Sequence, residues 1–163
     1  MDVVVAVAGN IVVYHDANIV DIIHRVGVFG KVGEGNGGLD GREVDLINLV
    51  SLRTGYSIGG FDADKIVGTE LCLGIGQSGE PFEGIGRGPL NIECMPVVRD
   101  AIGGIGTPTS DHERTKMNLD TTHILVIING YSGSEGLQEA AEMTAKLLES
   151  YASATDCQSW VFE

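Results

Sequence analysis

The chain has 163 residues, of which 24 are glycine, 43% hydrophobic and 20% charged. That is one domain with enough apolar surface to offset the entropy of folding, and four prolines with no three-residue glycine period exclude collagen. Ten Lys and Arg against 23 Asp and Glu give a formal net charge of −13. This excludes a general nucleic-acid or anionic-membrane binder, which needs a positive footprint.

Val3–Ala8 is a continuous β-branched run ended by Gly9-Asn10 and predicts a strand buried on both faces. Asp16 or Asn18 can cap a following helix, with Ile19, Ile22, Ile23 and Val26 on one face and Gly27 as its stop. Residues 30–41 contain six glycines and predict a loop. Asp40 with Glu43 forms a capping-box-like start for a second helix, with Val44, Ile47 and Val50 in a wide apolar stripe and Gly55 at its end. Residues 65–76 predict a glycine-interrupted strand, 78–91 a loop, and Pro96–Ile102 a short helix with Pro96 in its first turn. His123–Gly130 predicts a strand. Ser132 and Glu135 predict the capping box of a last helix, with Leu137, Ala140, Ala141, Thr144, Leu147, Leu148 and Tyr151 at helical spacing. Gln158–Phe162 predicts an edge strand. This order implies a single α/β domain over 1–163, with a mixed central sheet flanked by helices.

No basic segment precedes the first apolar run, and no run approaches the ~18 residues of a membrane span. Cys72, Cys94 and Cys157 lack CxxC spacing and read as reduced thiols. Together these imply a cytoplasmic protein without a membrane partner.

Four segments carry candidate chemistry. Gly9-Asn10 after a buried strand offers backbone N–H groups to a phosphate, or makes a plain turn. Lys31 leads a glycine-rich stretch that lacks the phosphate-loop order, and so makes either an anion site or a hairpin. Arg87 lies between two glycines, where it can reach a phosphate or carboxylate, or a solvated turn. The densest polar group is 107–116, with Thr107, Thr109, Asp111, His112, Arg114 and Lys116: a triphosphate, metal or general-base segment, or a surface loop. Asp62, Asp64 and Glu70 are candidate Mg²⁺ carboxylates, although the chain carries no metal-binding histidine spacing.

The Val3–Asn10 start, the glycine-rich middle, TPTSDHERTK and THILVIING resemble the methanogen pyridinol guanylyltransferase family, which makes the iron-guanylylpyridinol cofactor of iron-only hydrogenase. That family has an inosine-triphosphate-pyrophosphatase-like fold. Ala8 and Ile11–Val13 depart from the ordinary pyrophosphatase pattern. The resemblance implies a guanylyltransferase that joins GMP from GTP to a pyridinol with release of pyrophosphate, using Mg²⁺ as a homodimer. It places Gly9, Asn10, Lys31, Arg87 and Arg114 at the nucleotide, Thr107 and Thr109 at the acceptor, and Asp111 and Lys116 in catalysis, with metal ligands unassigned. A pyrophosphatase of the same fold and a non-catalytic nucleotide- or metabolite-binding protein are the alternatives. The glycine loops would then rim a nucleotide cleft.

Overall fold

The apolar run at 123–130 is the strand on which the molecule is assembled, in a computed structural model that describes residues 3–8, 11–15, 24–31, 42–131 and 133–162. In chain order the elements are β1 (Val3–Ala8), β2 (Ile11–His15), β3 (His24–Lys31), α1 (Arg42–Thr54), β4 (Ser57–Asp62), β5 (Glu70–Ile75), β6 (Glu83–Gly84), β7 (Gly88–Pro89), β8 (Pro96–Arg99), β9 (Gly104–Thr107), β10 (Ser110–Asp111), β11 (His123–Gly130), α2 (Leu137–Tyr151) and β12 (Thr155–Phe162). Single 3-10 turns lie at Ala63–Lys65 and Glu113–Thr115.

β11 pairs antiparallel with β3 on one side and β4 on the other. Side chains along a strand alternate between its faces. Ile124, Val126 and Ile128 therefore pack with Ile47 and Val50 of α1 and Leu137, Ala140, Ala141 and Leu148 of α2. Leu125 and Ile127 pack on the opposite face with Phe61, Leu71, Leu73, Val98 and Ile105. Burial on both faces is why this strand reads as an unbroken apolar run.

The result is three layers. Two helices cover a four-stranded antiparallel sheet, in the order β12-β3-β11-β4. Its other face packs on a six-stranded sheet, β1-β2-β5-β8-β9-β10, in which β2 and β5 run parallel. β6 and β7 form a separate small hairpin. The expected central sheet flanked by helices, and the inosine-triphosphate-pyrophosphatase-like fold with it, are thus corrected: the protein is mixed α/β, with a second sheet where a second helical layer was expected. Among the described residues no helix is long and apolar enough to cross a membrane.

Other local expectations are corrected by long-range pairing. Residues 24–31, which include the end of the helix expected from Ile19 to Val26, form β3 between β11 and β12; residues 16–23 lie outside the described set. Pro96–Arg99 is a strand, because Val97 and Val98 bury fully or nearly so between β5 and β9. Strand pairing and burial decide such segments over local propensity. In α1, Ile47 and Val50 are buried, whereas Val44 is 45% exposed, so the stripe is narrower than its spacing implies. Ser132 and Asp40 lie outside the described residues. α2 itself begins after Gly136, whose φ is +82° and which supplies no side-chain cap.

α2 fixes one stability expectation. Leu148 is fully buried and Leu147 is half-buried. Leu148→Ala should cost about 2–5 kcal/mol through lost burial and a residual cavity, and Leu147→Ala less. Urea unfolding of the two variants measures the difference.

Candidate functional site

The β9–β10 hairpin aims one carboxylate at the junction of the two sheets. Its turn is closed by Thr107, whose hydroxyl donates to Ser110 O at 2.9 Å and accepts from Ser110 N at 3.1 Å. Ser57 Oγ donates to Pro108 O at 2.8 Å and ties the turn to the start of β4. β4 is an edge strand of its sheet, so it has N–H groups that no neighbouring strand takes. One of them, Gly60 N–H, donates to Asp111 Oδ2 at 3.2 Å.

Glycine allows this approach. A Cβ at Gly59 would stand 2.9 Å from Asp111 Oδ1, and one at Gly106 would stand 2.6 Å from Phe61 Cζ and 3.2 Å from Asp111 Oδ1. Gly106→Ala should therefore destabilise the protein by about 1–3 kcal/mol, through overpacking between the sheets. Thermal denaturation checks this, and an unchanged melting temperature would contradict the close approach.

Asp111 forms no ion pair among the described residues. Burial pushes its carboxyl up to about 7, while the Gly60 N–H pulls weakly the other way. The carboxyl borders two spaces. One is a cavity of about 220 Å³, with Ile47, Ile58, Gly60, Lys116 and Met117 among its lining residues. The other is a cleft of about 10 Å³, lined in part by Phe61, Thr107, Asn129 and Tyr131, which is room for a single water.

The structure therefore brings Asp111 and Lys116 to one cavity and Thr107 to the turn behind it. Lys116 also pairs with Glu113. Thr109 is exposed; its N–H makes a long contact of 3.4 Å to Thr107 Oγ1 and its carbonyl accepts from Ser110 Oγ at 2.7 Å. Arg87 is exposed on the β6–β7 turn and donates to Ser110 Oγ at 3.1 Å, outside the cavity wall. Arg114 points elsewhere: its guanidinium grips the buried Asp100 with bonds of 2.8 and 2.9 Å. Gly9 and Asn10 lie outside the described residues, as does the side chain of Lys31.

Asp62 is buried, accepts from Thr121 Oγ1 at 2.7 Å and pairs with Lys65 at 2.9 Å. Asp64 pairs with His123, and Glu70 is exposed. These carboxylates do not gather, and among the described residues no three His, Cys, Asp or Glu side chains are grouped as a metal ion would require. His112 has a structural part instead. Its Nδ1 accepts from Arg114 N at 3.0 Å, capping the 3-10 turn, and its ring meets Phe82 edge-on. Burial first, and Arg114 second, hold its imidazole below the usual value.

Sequence reasoning placed Ile47 in a helix's apolar stripe and not at a site, and passed over Gly60 and Met117. The only signal for them was the Gly-Gly pair inside SIGGFD, a mark of close backbone approach.

A family model described as the B3/4 domain matches residues 42–153. Among solved structures, the chain is similar to an N-terminal fragment of the phenylalanyl-tRNA synthetase β-subunit from Pyrococcus horikoshii, with 18% identity and a TM-score of 0.74. The match covers 95% of this chain and 53% of that one, so the chain spans about half its length. No curated protein matches. These findings overturn the resemblance to the pyridinol guanylyltransferases. With it fall GTP and a pyridinol as substrates and the pyrophosphatase alternative; residues 32–41 of the glycine-rich stretch lie outside the described residues. The motifs behind that resemblance were short segments, of kinds that unrelated folds share.

Proposed function

From the premise that this chain belongs to the B3/4 domain family, we propose that it recognises the aminoacyl end of a charged tRNA. The observation that carries this reading is Asp111, a carboxylate in no ion pair among the described residues, set in the wall of a cavity whose other lining is apolar apart from Asn48 and from Lys116, which pairs with Glu113. An aminoacyl group presents a matching pair of features, an ammonium at neutral pH and a side chain one carbon away. Asp111 would receive the ammonium, and Ile47, Ile58 and Met117 would enclose an apolar side chain. A half-buried, desolvated carboxylate gains most from a partner that arrives with its own hydrogen-bond donors. The similar solved chain, a fragment of a phenylalanyl-tRNA synthetase β-subunit, supports a tRNA-linked ligand.

This changes the meaning of the net charge of −13. The charge disfavours a long contact with phosphates, but it does not disfavour contact with the single aminoacylated terminus. Under this proposal contact with nucleic acid is confined to the end of a charged tRNA. We further propose that water cleaves the bound ester, with free amino acid released from charged tRNA as the readout.

The test is calorimetry with adenosine carrying an amide-linked leucyl group at its 3′ position. The wild-type protein should bind it. Asp111→Asn, and acetylation of the ligand amine, should each weaken binding at least tenfold, or about 1.4 kcal/mol. Equal affinity in all three cases would remove Asp111 from the site.

A further inference from the structure

Gly60 has no side chain, and two neighbours close over it. A Cβ there would stand 2.8 Å from Ile47 Cδ1 and 2.9 Å from Met117 Cε. The two neighbours are not equivalent. Ile47 is 5% exposed, belongs to α1 and is part of the helix-side core; its β-branched side chain is stiff in a helix. Met117 is half-buried and packs against that core from outside the helices. Its unbranched thioether has three rotatable bonds and adapts to irregular space.

The backbone that carries Met117 is held in place. Thr115 is fully buried at the end of its 3-10 turn, and Lys65 Nζ donates to Lys116 O at 2.7 Å. Shortening the Met117 side chain therefore opens space without releasing the segment. At the mouth, Val44 and Ile85 are 45% and 42% exposed, so that side is open and the confining wall is the one Met117 makes.

Resting on the reading that this cavity takes the side chain of an aminoacyl group, we infer that Met117 is its specificity-determining residue: the Met117 thioether, lying over Gly60, sets the cavity depth. The site then admits a branched aliphatic side chain and rejects a bicyclic aromatic one.

The experiment is calorimetry of two amide-linked 3′-aminoacyl adenosines, leucyl and tryptophanyl, against the wild-type protein, Met117→Ala and Met117→Leu. Wild type should favour the leucyl ligand at least tenfold. Met117→Ala should move the ratio at least tenfold toward the tryptophanyl ligand, and the volume-conserving Met117→Leu should keep the wild-type ratio. Met117→Val, a milder truncation, should move it the same way by less, and decides the matter if the alanine variant does not fold. An unchanged ratio in the truncated variants, with both ligands bound and binding still lost on N-acetylation, overturns the role of Met117 and leaves that of Asp111 standing. Failure of wild type to bind either ligand overturns both.

Discussion

Replacing Arg114 with alanine should destabilise the fold by about 3–5 kcal/mol, the range for removing one partner of a buried ion pair. The Asp100 side chain is completely buried. It accepts from Arg114 Nη1 and Nη2 at 2.8 and 2.9 Å, and from the N–H groups of Val67, Ile102 and Gly103 at 2.8, 3.0 and 3.2 Å. Burial alone would raise its carboxyl. Arg114 and the three N–H donors overcome that and hold it below the ordinary value. A depressed carboxylate adds stability that is present at neutral pH and is lost as pH falls through its folded-state value. The cost of Arg114→Ala should therefore shrink in acid. Urea unfolding at pH 7 and pH 3 measures both values. A cost below ~1 kcal/mol at pH 7 would show that the pair is not structural.

Asp111→Asn should act in the opposite sense and stabilise the protein above pH 7 by about 2–4 kcal/mol. The folded state holds the Asp111 proton up to about 7, against 3.8 for the free group. Its contribution is greatest below the unfolded value, declines as pH rises from about 4 to 7, and is flat beyond. Asparagine removes that decline and can still accept from Gly60 N–H. The difference in unfolding free energy between variant and wild type, followed from pH 4 to pH 8, isolates this group from the other carboxylates. A difference that does not grow with pH would mean that Asp111 is ionised without cost. Stabilisation by removing a charge is the mark of a group kept for binding at the expense of stability.

The most legible parts of the sequence were those whose pattern is set by burial. β11 shows both-face burial as a continuous run, and α2 shows helical spacing; each appears where its pattern placed it. β12 likewise forms at the sheet edge. β4 escaped notice because Gly59 and Gly60 erase its alternation, and they are glycine for the sake of Asp111, Phe61, Ile47 and Met117. The glycines at 59, 60, 104 and 106 lie inside strands, each where a neighbouring side chain stands within 3 Å of where a Cβ would be, so the equation of glycine with loop failed there. The polar segment 107–116 was visible as a cluster, but its division of labour was not. Arg114 answers to Asp100, fourteen residues away in sequence, while Asp111 answers to β4. Only the fold decides which of two neighbouring charges faces a cavity and which is spent on a buried partner.

The central claim is that the Asp111 carboxylate receives the ammonium of an aminoacyl ligand. Carbon-detected NMR of that carboxyl, titrated with and without saturating 3′-leucylamido adenosine, tests it most directly. The free protein should titrate near 7. With ligand bound the midpoint should fall to the ordinary carboxylate range of about 4 or lower, as a facing cation requires. A midpoint that stays near 7 while the ligand is bound would contradict the account.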